Sequence, residues 1–232
     1  MKAAVVIATY NEKDNLPALV REILVRPEYR VVVVDDNSPD GTGEAAEDLA
    51  KAFPDRMIVI HRTANRGLGR SLVAGLRRAL QTDADLIFQM DADFSHDPKY
   101  LESLAEAAAE ADLVLGSRYV QGVSVVNWPL RRIILSSLAN RYVRSVTGLS
   151  VNDCTTGYRC WKREALSRIP LERVMSEGYA FLVETLHLAR RTGCRIREVP
   201  IIFVERREGT SKVSAKVLLE SIVVPWKIRL KA

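Results

Sequence analysis

Two aspartates, Asp91 and Asp93, stand at the end of an apolar run that reads as a buried strand. Residues two apart in an extended chain face the same side, and a turn after Asp91 would let both carboxylates converge. Carboxylate oxygens suit a hard divalent cation, Mg²⁺ or Mn²⁺, that bridges a diphosphate. The alternative is a solvated turn, and the pair alone favours neither. The nearby Asp97 precedes Pro98 and is typical of a helix start.

Further polar residues follow two other strand-like runs. Asp36 could accept hydrogen bonds from a base or a ribose, whereas Asp40 reads as turn chemistry or a helix cap. Tyr10 offers a ring that could stack on a nucleobase, and Glu12 offers an acceptor. The alternative is that Asn11 caps the next helix and Glu12 stabilises its first turn.

Basic residues suggest phosphate contacts. Arg118 follows a strand and could either pair with Asp91 or clamp a phosphate through two hydrogen bonds. Arg206 and Lys212 lie in a glycine-bearing polar stretch, which is either a solvated loop or a mobile lid over a diphosphate. The glycine-rich stretch around Gly75 lacks the spacings of known phosphate loops, so we expect its glycines to permit close helix packing.

One predicted helix, near residues 128–149, combines arginines and large apolar residues without any acid. Arg132 and Ser136 are four apart and share a helix face. A basic amphipathic helix of this kind can lie on an anionic membrane surface. The alternative is a core helix with a solvated basic face.

Strand-like and helix-like stretches alternate up to about residue 118, and the strands are rich in Val and Ile. Such runs indicate strands buried on both faces of a parallel sheet, and hence a doubly wound α/β fold. Ligands of such folds bind at the carboxyl ends of the strands. The acids described above all lie at that edge, so we expect it to be a polar site.

The chain has 232 residues, a net charge of +5 and a hydrophobic fraction of 47%. Its pI of about 9.2 favours an anionic partner, but the low aromatic content argues against nucleic acid. We expect no signal peptide and no membrane span. The three cysteines lack metal-type spacing and suggest free thiols in a reducing compartment.

In this order, the stretches "IATYNE", "VVVVDDNSPDGT", "DADFSH", "GSR", "NWPLRR" and "ERREGTSK" resemble the family 2 glycosyltransferases. The resemblance implies a GT-A (Rossmann-like) fold with a mostly parallel sheet and helices on both of its faces. Within that family the stretches are most similar to the dolichol-phosphate (polyprenyl-phosphate) mannose synthases. The resemblance runs from Val5 to about Lys212. It implies an inverting, metal-dependent hexosyltransferase that moves mannose from GDP-mannose to a polyprenyl (dolichyl) phosphate.

The resemblance also implies roles for individual residues. Asp91 and Asp93 would bind Mg²⁺ or Mn²⁺, and they and Arg118 would form the catalytic centre. Arg132 and Ser136 would receive the acceptor phosphate. The remaining substrate-binding positions are Ala8, Tyr10, Glu12, Val34, Asp36 and Ala92, which would contact the nucleotide sugar, and Arg118, Arg206 and Lys212, which would hold phosphates. Ala8 departs from the proline usual in the family, and Ser95 from the glutamine that some members have near the metal.

The resemblance further implies one GT-A catalytic domain over 1–232. Residues 1–118 would hold the nucleotide sugar and metal, and 119–232 the acceptor, with a mobile loop at 205–213 and a C-terminal helix. An amphipathic interface helix would place the protein peripherally on the cytoplasmic face of a membrane, where some relatives rely on small membrane-protein subunits. That membrane would be the plasma membrane in a prokaryote or the endoplasmic reticulum in a eukaryote.

Three rival functions share parts of this pattern. A UDP-glucose-dependent polyprenyl-phosphate glucosyltransferase would keep the same metal site and differ in base and sugar contacts. A family 2 transferase with a soluble acceptor would not need Arg132 or lipid vesicles. A non-catalytic nucleotide- or membrane-binding module would tolerate Asp91→Asn and need no metal.

Overall fold

The computed structural model describes residues 1–64, 67–174, 176, 178–205 and 215–230, with 215–221 as backbone only. The strands are β1 (Ala3–Thr9), β2 (Tyr29–Asp35), β3 (Met57–His61), β4 (Leu86–Asp91), β5 (Leu113–Ser117), β6 (Val125–Val126), β7 (Arg159–Lys162), β8 (Ile196–Pro200) and β9 (Phe203–Val204). The helices are α1 (Leu16–Leu24), α2 (Thr42–Ala52), α3 (Leu68–Leu80), α4 (Leu101–Ala107), α5 (Leu130–Thr147), α6 (Arg163–Ser167), α7 (Gly178–Arg191) and α8 (Ala215–Leu230).

A seven-stranded sheet in the order β3-β2-β1-β4-β7-β5-β8 forms the centre of the fold. Its neighbouring strands pair in parallel, except that β7 runs antiparallel to both β4 and β5. The mostly parallel α/β sheet predicted from the sequence is therefore confirmed. The sheet takes strands from both halves of the chain, because β7 and β8 join β1–β5.

Apolar side chains fill both faces of this sheet. Val5 and Val31 pack in a cluster that includes residues of α1, α2 and α4. Their neighbours Val6 and Val32 point the other way, into a cluster with residues of α3, α5 and α7. Consecutive residues of a strand face opposite sides, so unbroken valine runs are needed where both faces are covered.

Gly75 shows why α3 can approach the sheet closely. A Cβ at this position would lie 2.4 Å from Val6 Cγ1 and 2.9 Å from Val34 Cγ2. Both valines are fully buried in strands and have no room to move away. The prediction that this glycine serves helix packing is confirmed.

The stretch 194–204 is divided between two sheets. Its first part, β8, joins the large sheet beside β5, and its second part, β9, pairs in parallel with the short strand β6. Pro200 is the last residue of β8, at the edge of the sheet, and the N–H of Ile201 still donates to the Ser117 carbonyl at 3.0 Å. Beyond Ile201 the chain leaves the sheet and brings Phe203 against Trp128, just before α5.

Helix α5 exposes apolar residues that a core helix would bury. The side with the greatest exposure carries Leu130, Ile134 and Leu138, which are 70%, 51% and 57% exposed. Helix α8 packs beside α5 and also leaves large side chains exposed, including Trp226. The alternative interpretation of α5 as a core helix therefore holds for its C-terminal part, where Val143 and Val146 are buried, and not for its N-terminal part. Within the described ranges, no helix has both the length and the apolarity required to cross a membrane.

The three cysteines carry free thiols, as predicted. Cys154 and Cys160 are buried in the core, whereas Cys194 is partly exposed. Burial raises the pKa of the Cys154 thiol to about 12. This thiol is therefore protonated, and unreactive, at neutral pH.

Candidate active site

The predicted nucleotide and metal residues meet where β1, β2 and β4 end. In the sheet register, Ala8 of β1 pairs with Val34 of β2 on one side and with Asp91 of β4 on the other. This register therefore places Asp91 directly beside the end of β1. The side chain of Val34 is fully buried in the core, which leaves its backbone to face this edge.

Asp91 is held by a buried histidine. Its backbone N–H donates to Nδ1 of His96 at 3.0 Å, and the nearest oxygen of its carboxylate lies 3.7 Å from the same nitrogen. Burial lowers the pKa of His96, which favours the neutral ring that accepts this hydrogen bond. The Asp91 side chain remains 46% exposed and can reach a ligand.

Asp93 is more enclosed than Asp91. Its Oδ1 accepts hydrogen bonds from the backbone N–H of Ser95 at 3.1 Å and from the Ser95 hydroxyl at 2.6 Å. Ala92, between the two aspartates, is 3% exposed and packs in the core. Phe94 has a φ of 60°, in the left-handed region that bulky residues rarely adopt. The turn that carries both carboxylates is therefore tightly constrained.

The two carboxylates fit the divalent cation that the sequence predicts. Asp91 is the last residue of β4 and Asp93 follows it two positions later, and their oxygens are of the hard type that Mg²⁺ and Mn²⁺ prefer. Across the described part of the chain, no group of three or more His, Cys, Asp and Glu side chains could hold a metal ion. A cation here would therefore complete its coordination with water and the oxygens of a substrate, as Mg²⁺ commonly does.

Asp36 lies at the same edge and is firmly fixed. Its Oδ1 accepts from Nη1 of Arg62 at 2.8 Å, and its Oδ2 accepts from the backbone N–H of Gly67 at 2.7 Å. Gly67 has a φ of 143°, in the region that glycine adopts most readily. The glycine-rich stretch thus orients an acid of the site, in addition to the helix packing predicted for it.

The residues that follow β1 do not form the helix start, capped by Asn11, that the sequence left open. Asn11 has a φ of 60° and does not cap α1, which begins after Asn15. Glu12 accepts a hydrogen bond from Nδ2 of Asn15 at 2.9 Å through Oε2. Tyr10 is 36% exposed, so its ring is accessible.

Two acids predicted to serve turns do so. Asp40 accepts hydrogen bonds from the backbone N–H and hydroxyl of Thr42, the first residue of α2. Asp97 accepts from the backbone N–H of Lys99 at 2.9 Å, at the start of a short 3₁₀ helix.

Arg118 pairs with Asp153 and not with Asp91. Its Nε and Nη2 donate to the two carboxylate oxygens at 2.7 Å each, and Nη2 also donates to Oγ1 of Thr155 at 2.8 Å. The two side chains are 8% and 0% exposed. Burial would raise the pKa of Asp153, but the charge and hydrogen bonds of Arg118 outweigh it and lower that pKa.

The pairing leaves little of Arg118 for a phosphate. Asp153 occupies the edge of the guanidinium that a two-bond phosphate clamp would use. Rings of Tyr119, Trp128 and Phe203 lie 5.4 to 5.6 Å from its Cζ. The direct clamp considered from the sequence is therefore not formed through Nε and Nη2, and only Nη1 is left to meet a phosphate.

Arg132 and Ser136 lie on one side of α5, as their spacing predicts. The Arg132 guanidinium stacks on Trp128, with Cζ 4.0 Å from the ring centroid, and it donates to Glu205. The Ser136 hydroxyl accepts from the Tyr119 hydroxyl at 2.7 Å. Arg206 and Lys212 fall outside the residues that the structure describes.

A row of rings connects the two parts of the site. His96 lies edge-on to Phe203 with centroids 5.5 Å apart, and Phe203 lies edge-on to Trp128 at 5.4 Å. Trp128 in turn supports Arg132, while His96 binds the backbone of Asp91. The rings of His96, Phe203 and Trp128 therefore connect the start of α5 to the turn that carries Asp91 and Asp93.

Three residues of this site were not found from the sequence: His96, Asp153 and Glu205. His96 lies within the aspartate stretch, and its spacing from Asp91 was the one available signal. Asp153 stands in a stretch without periodicity, and Glu205 opens a polar stretch of charged residues. Nothing in the local sequence of Asp153 or Glu205 indicates that each contacts a predicted site residue.

Comparisons with known proteins identify the family of this chain. A family model described as "Glycosyl transferase family 2" matches residues 4–170. The polyprenol monophosphomannose synthase of Mycolicibacterium smegmatis is 45% identical over 98% of this chain and 88% of its own length. The undecaprenyl-phosphate mannosyltransferase of Micrococcus luteus is 43% identical over 96% of this chain and 92% of its own length.

Among solved structures, a crystal structure of glucosyl-3-phosphoglycerate synthase from Mycobacterium tuberculosis is similar in fold. That protein was crystallised with Mn²⁺, uridine diphosphate and phosphoglyceric acid. The match has a TM-score of 0.72 and 17% sequence identity, and it covers 98% of this chain and 78% of the other. At this identity the likeness concerns the fold.

Proposed function

The chain belongs to glycosyl transferase family 2, and we propose that it transfers mannose from GDP-mannose to a polyprenyl phosphate with the help of Mg²⁺ or Mn²⁺. The products would be polyprenyl-phosphate β-mannose and GDP. One observation carries the proposal: a row of three rings, His96, Phe203 and Trp128, connects the aspartate turn at the sheet edge to the start of α5, a helix that is basic and exposes apolar residues. A charged sugar donor and a lipid-linked acceptor need these two features side by side. The relatives named above bear names that fit such a reaction.

On the donor side, Asp91 and Asp93 would hold the cation, which would neutralise charge that develops on the leaving diphosphate. Asp36 offers acceptors to the base or ribose, since Arg62 and Gly67 fix its orientation. Tyr10 presents a ring for stacking, with Ala8, Glu12 and the Val34 backbone beside it. Ala92 would contact the donor through its backbone. Arg206 and Lys212 are proposed to hold the diphosphate.

On the acceptor side, a phosphate oxygen is the nucleophile. Arg132 and Ser136 would orient it, and Arg118 would contribute its charge and Nη1. A phosphate monoester has a second pKa of about 6, so the acceptor is ionised at pH 7 and needs no protein base. The oxygen forms a bond to C1 of mannose while the bond from C1 to GDP breaks, and that electron pair leaves with GDP. Attack opposite GDP converts the α-linked donor into a β-linked product.

The exposed faces of α5 and α8 support docking on a membrane surface. Leu130, Ile134 and Leu138 would enter the headgroup region, while arginines of α5 attract anionic lipids. A groove of about 630 Å³ beside α5 is lined by Arg141 and Arg144, and the described residues around it include no acid. We propose peripheral attachment to the cytoplasmic face, with small membrane-protein subunits as further partners.

The test is transfer of radiolabel from GDP-mannose to a polyprenyl phosphate in detergent, with Mg²⁺ or Mn²⁺. We expect lipid-soluble label from wild type, none after chelation, and a loss of at least about a hundredfold for Asp93→Ala. Asp97→Ala is the matched control, since Asp97 caps a short helix and should leave transfer unchanged.

Three outcomes would contradict parts of the proposal. Transfer from UDP-glucose alone would assign the chain to the glucosyltransferase rival. Transfer to a soluble acceptor, indifferent to Arg132→Ala, would assign it to the second rival. Full activity of Asp93→Ala without added metal would overturn the metal site.

A further inference from the structure

Glu205 contacts Arg132 because the short strand β9 delivers it there. Its backbone N–H donates to the Val126 carbonyl at 3.1 Å, which extends the pairing of β9 with β6 by one hydrogen bond. Residues two apart on a strand face the same side, so Glu205 faces the same way as Phe203. Phe203 packs edge-on against Trp128, the ring on which Arg132 lies. The carboxylate is thus presented to Arg132 from a fixed backbone.

The pair formed by Arg132 and Glu205 is held less strongly than its neighbour. Its side chains are 30% and 26% exposed, so water reaches both charges. Those of Arg118 and Asp153 are 8% and 0% exposed. An ion pair in contact with water contributes little to stability, whereas breaking a buried pair is costly. Arg132 therefore has a carboxylate partner that another anion can displace, and Arg118 does not.

The charge of the acceptor changes during the proposed reaction. A phosphate monoester carries a charge of about −1.5 to −2 at pH 7, whereas a carboxylate carries one negative charge. The Coulomb attraction of a fixed guanidinium scales with that charge, so the monoester competes well against Glu205. The product is a phosphodiester with a single negative charge, which has no such advantage.

We infer that Glu205 is an exchangeable counter-ion of Arg132: the acceptor phosphate displaces it, and it returns when the product forms. It would thereby lower the affinity for acceptor and product alike, and it would favour release of the product, the weaker of the two anions. The inference rests on the proposed function, in which Arg132 binds the acceptor phosphate. Glu205 is a positioning residue, since it acts through Arg132 and does not touch the reacting atoms.

The experiment measures binding by calorimetry, without any sugar donor. The probes are a short-chain prenyl monophosphate and its methyl phosphodiester, which stands in for the product. Wild type is compared with Glu205→Gln, and Glu110→Gln is the control, because Glu110 forms a similar pair with Arg197 on another surface. We expect Glu205→Gln to bind both probes about threefold to fivefold more tightly, and the control to match wild type.

A double variant separates competition from a structural role. With Arg132→Gln also present, the gain from Glu205→Gln should disappear, because no guanidinium remains to be freed. Unchanged or weaker binding by Glu205→Gln would overturn the inference, and weaker binding would mean that Glu205 holds Arg132 in its binding position. If wild type binds neither probe, the inference also fails. The radiolabel assay decides the proposed function independently of that result.

Discussion

Replacing Asp153 with alanine should be among the most destabilising changes of a polar residue in this chain. Asp153 has no exposed surface, and it accepts hydrogen bonds from the backbone N–H, Nε and Nη2 of Arg118 and from the N–H and hydroxyl of Thr155. Its removal leaves the guanidinium of Arg118, itself 8% exposed, buried without a counter-charge. Breaking a buried pair in this way costs about 3–5 kcal/mol. Asp153→Asn also removes the counter-charge but keeps one acceptor oxygen for Arg118 and leaves no cavity, so we expect a smaller loss.

The free energy of unfolding is to be measured by urea titration followed by circular dichroism. Asp48→Ala is the matched control, since Asp48 pairs with Lys51 and both side chains are 75% exposed. Pairs of that kind contribute about 0–1 kcal/mol. A loss below about 1 kcal/mol for Asp153→Ala would refute the reasoning. It would mean that water or a rearranged side chain reaches Arg118.

Three further predictions follow from the same structure. Gly75→Ala should destabilise the fold by about 1–3 kcal/mol in thermal or urea unfolding, because the added Cβ would lie 2.4 Å from a valine side chain in the core, and an unchanged midpoint would contradict this. The pKa of Asp153 is lowered from 3.8, because Arg118 outweighs the effect of burial. Its contribution to the free energy of unfolding is therefore present above about pH 4 and is lost as the pH falls further. In a plot of the free energy of unfolding against pH, Asp153→Asn should show a smaller decrease below about pH 4 than wild type. Leu138→Glu should weaken binding to anionic vesicles in a sedimentation assay about tenfold, with Val25→Glu, at an exposed apolar position on another helix end, as the control that retains binding.

The first half of the fold follows from the sequence because its signals are local and redundant. Each of β1, β2 and β4 is a run of apolar residues long enough for a strand and too short for a helix. Parallel strands end at the same edge, so Asp36 and Asp91 could be placed together without any structure. The structure adds the strand register, in which Ala8 pairs with Asp91.

The acceptor side was less predictable because its contacts join residues far apart in sequence. Arg132 meets Glu205 and Arg118 meets Asp153 across 73 and 35 positions. The pairing of β6 with β9 rests on two short strands, which carry no periodic signal of their own. Even the location of Arg118 at a strand end, which was correct, did not identify its partner.

The strand β7 explains why Asp153 escaped notice and why it matters. Sequence reasoning assigned the polar edge to residues that follow strands, which is correct for parallel strands only. Because β7 is antiparallel between β4 and β5, the residues that precede it arrive at that edge instead. The stretch that leads into β7 therefore supplies Asp153 to Arg118, and it brings Gly157 so close to Asp91 that an added Cβ would lie 3.4 Å from its carboxylate. One reversed strand thus brings the residues that precede it to the edge of the site, and an acid that precedes such a strand deserves the same weight as one that follows a parallel strand.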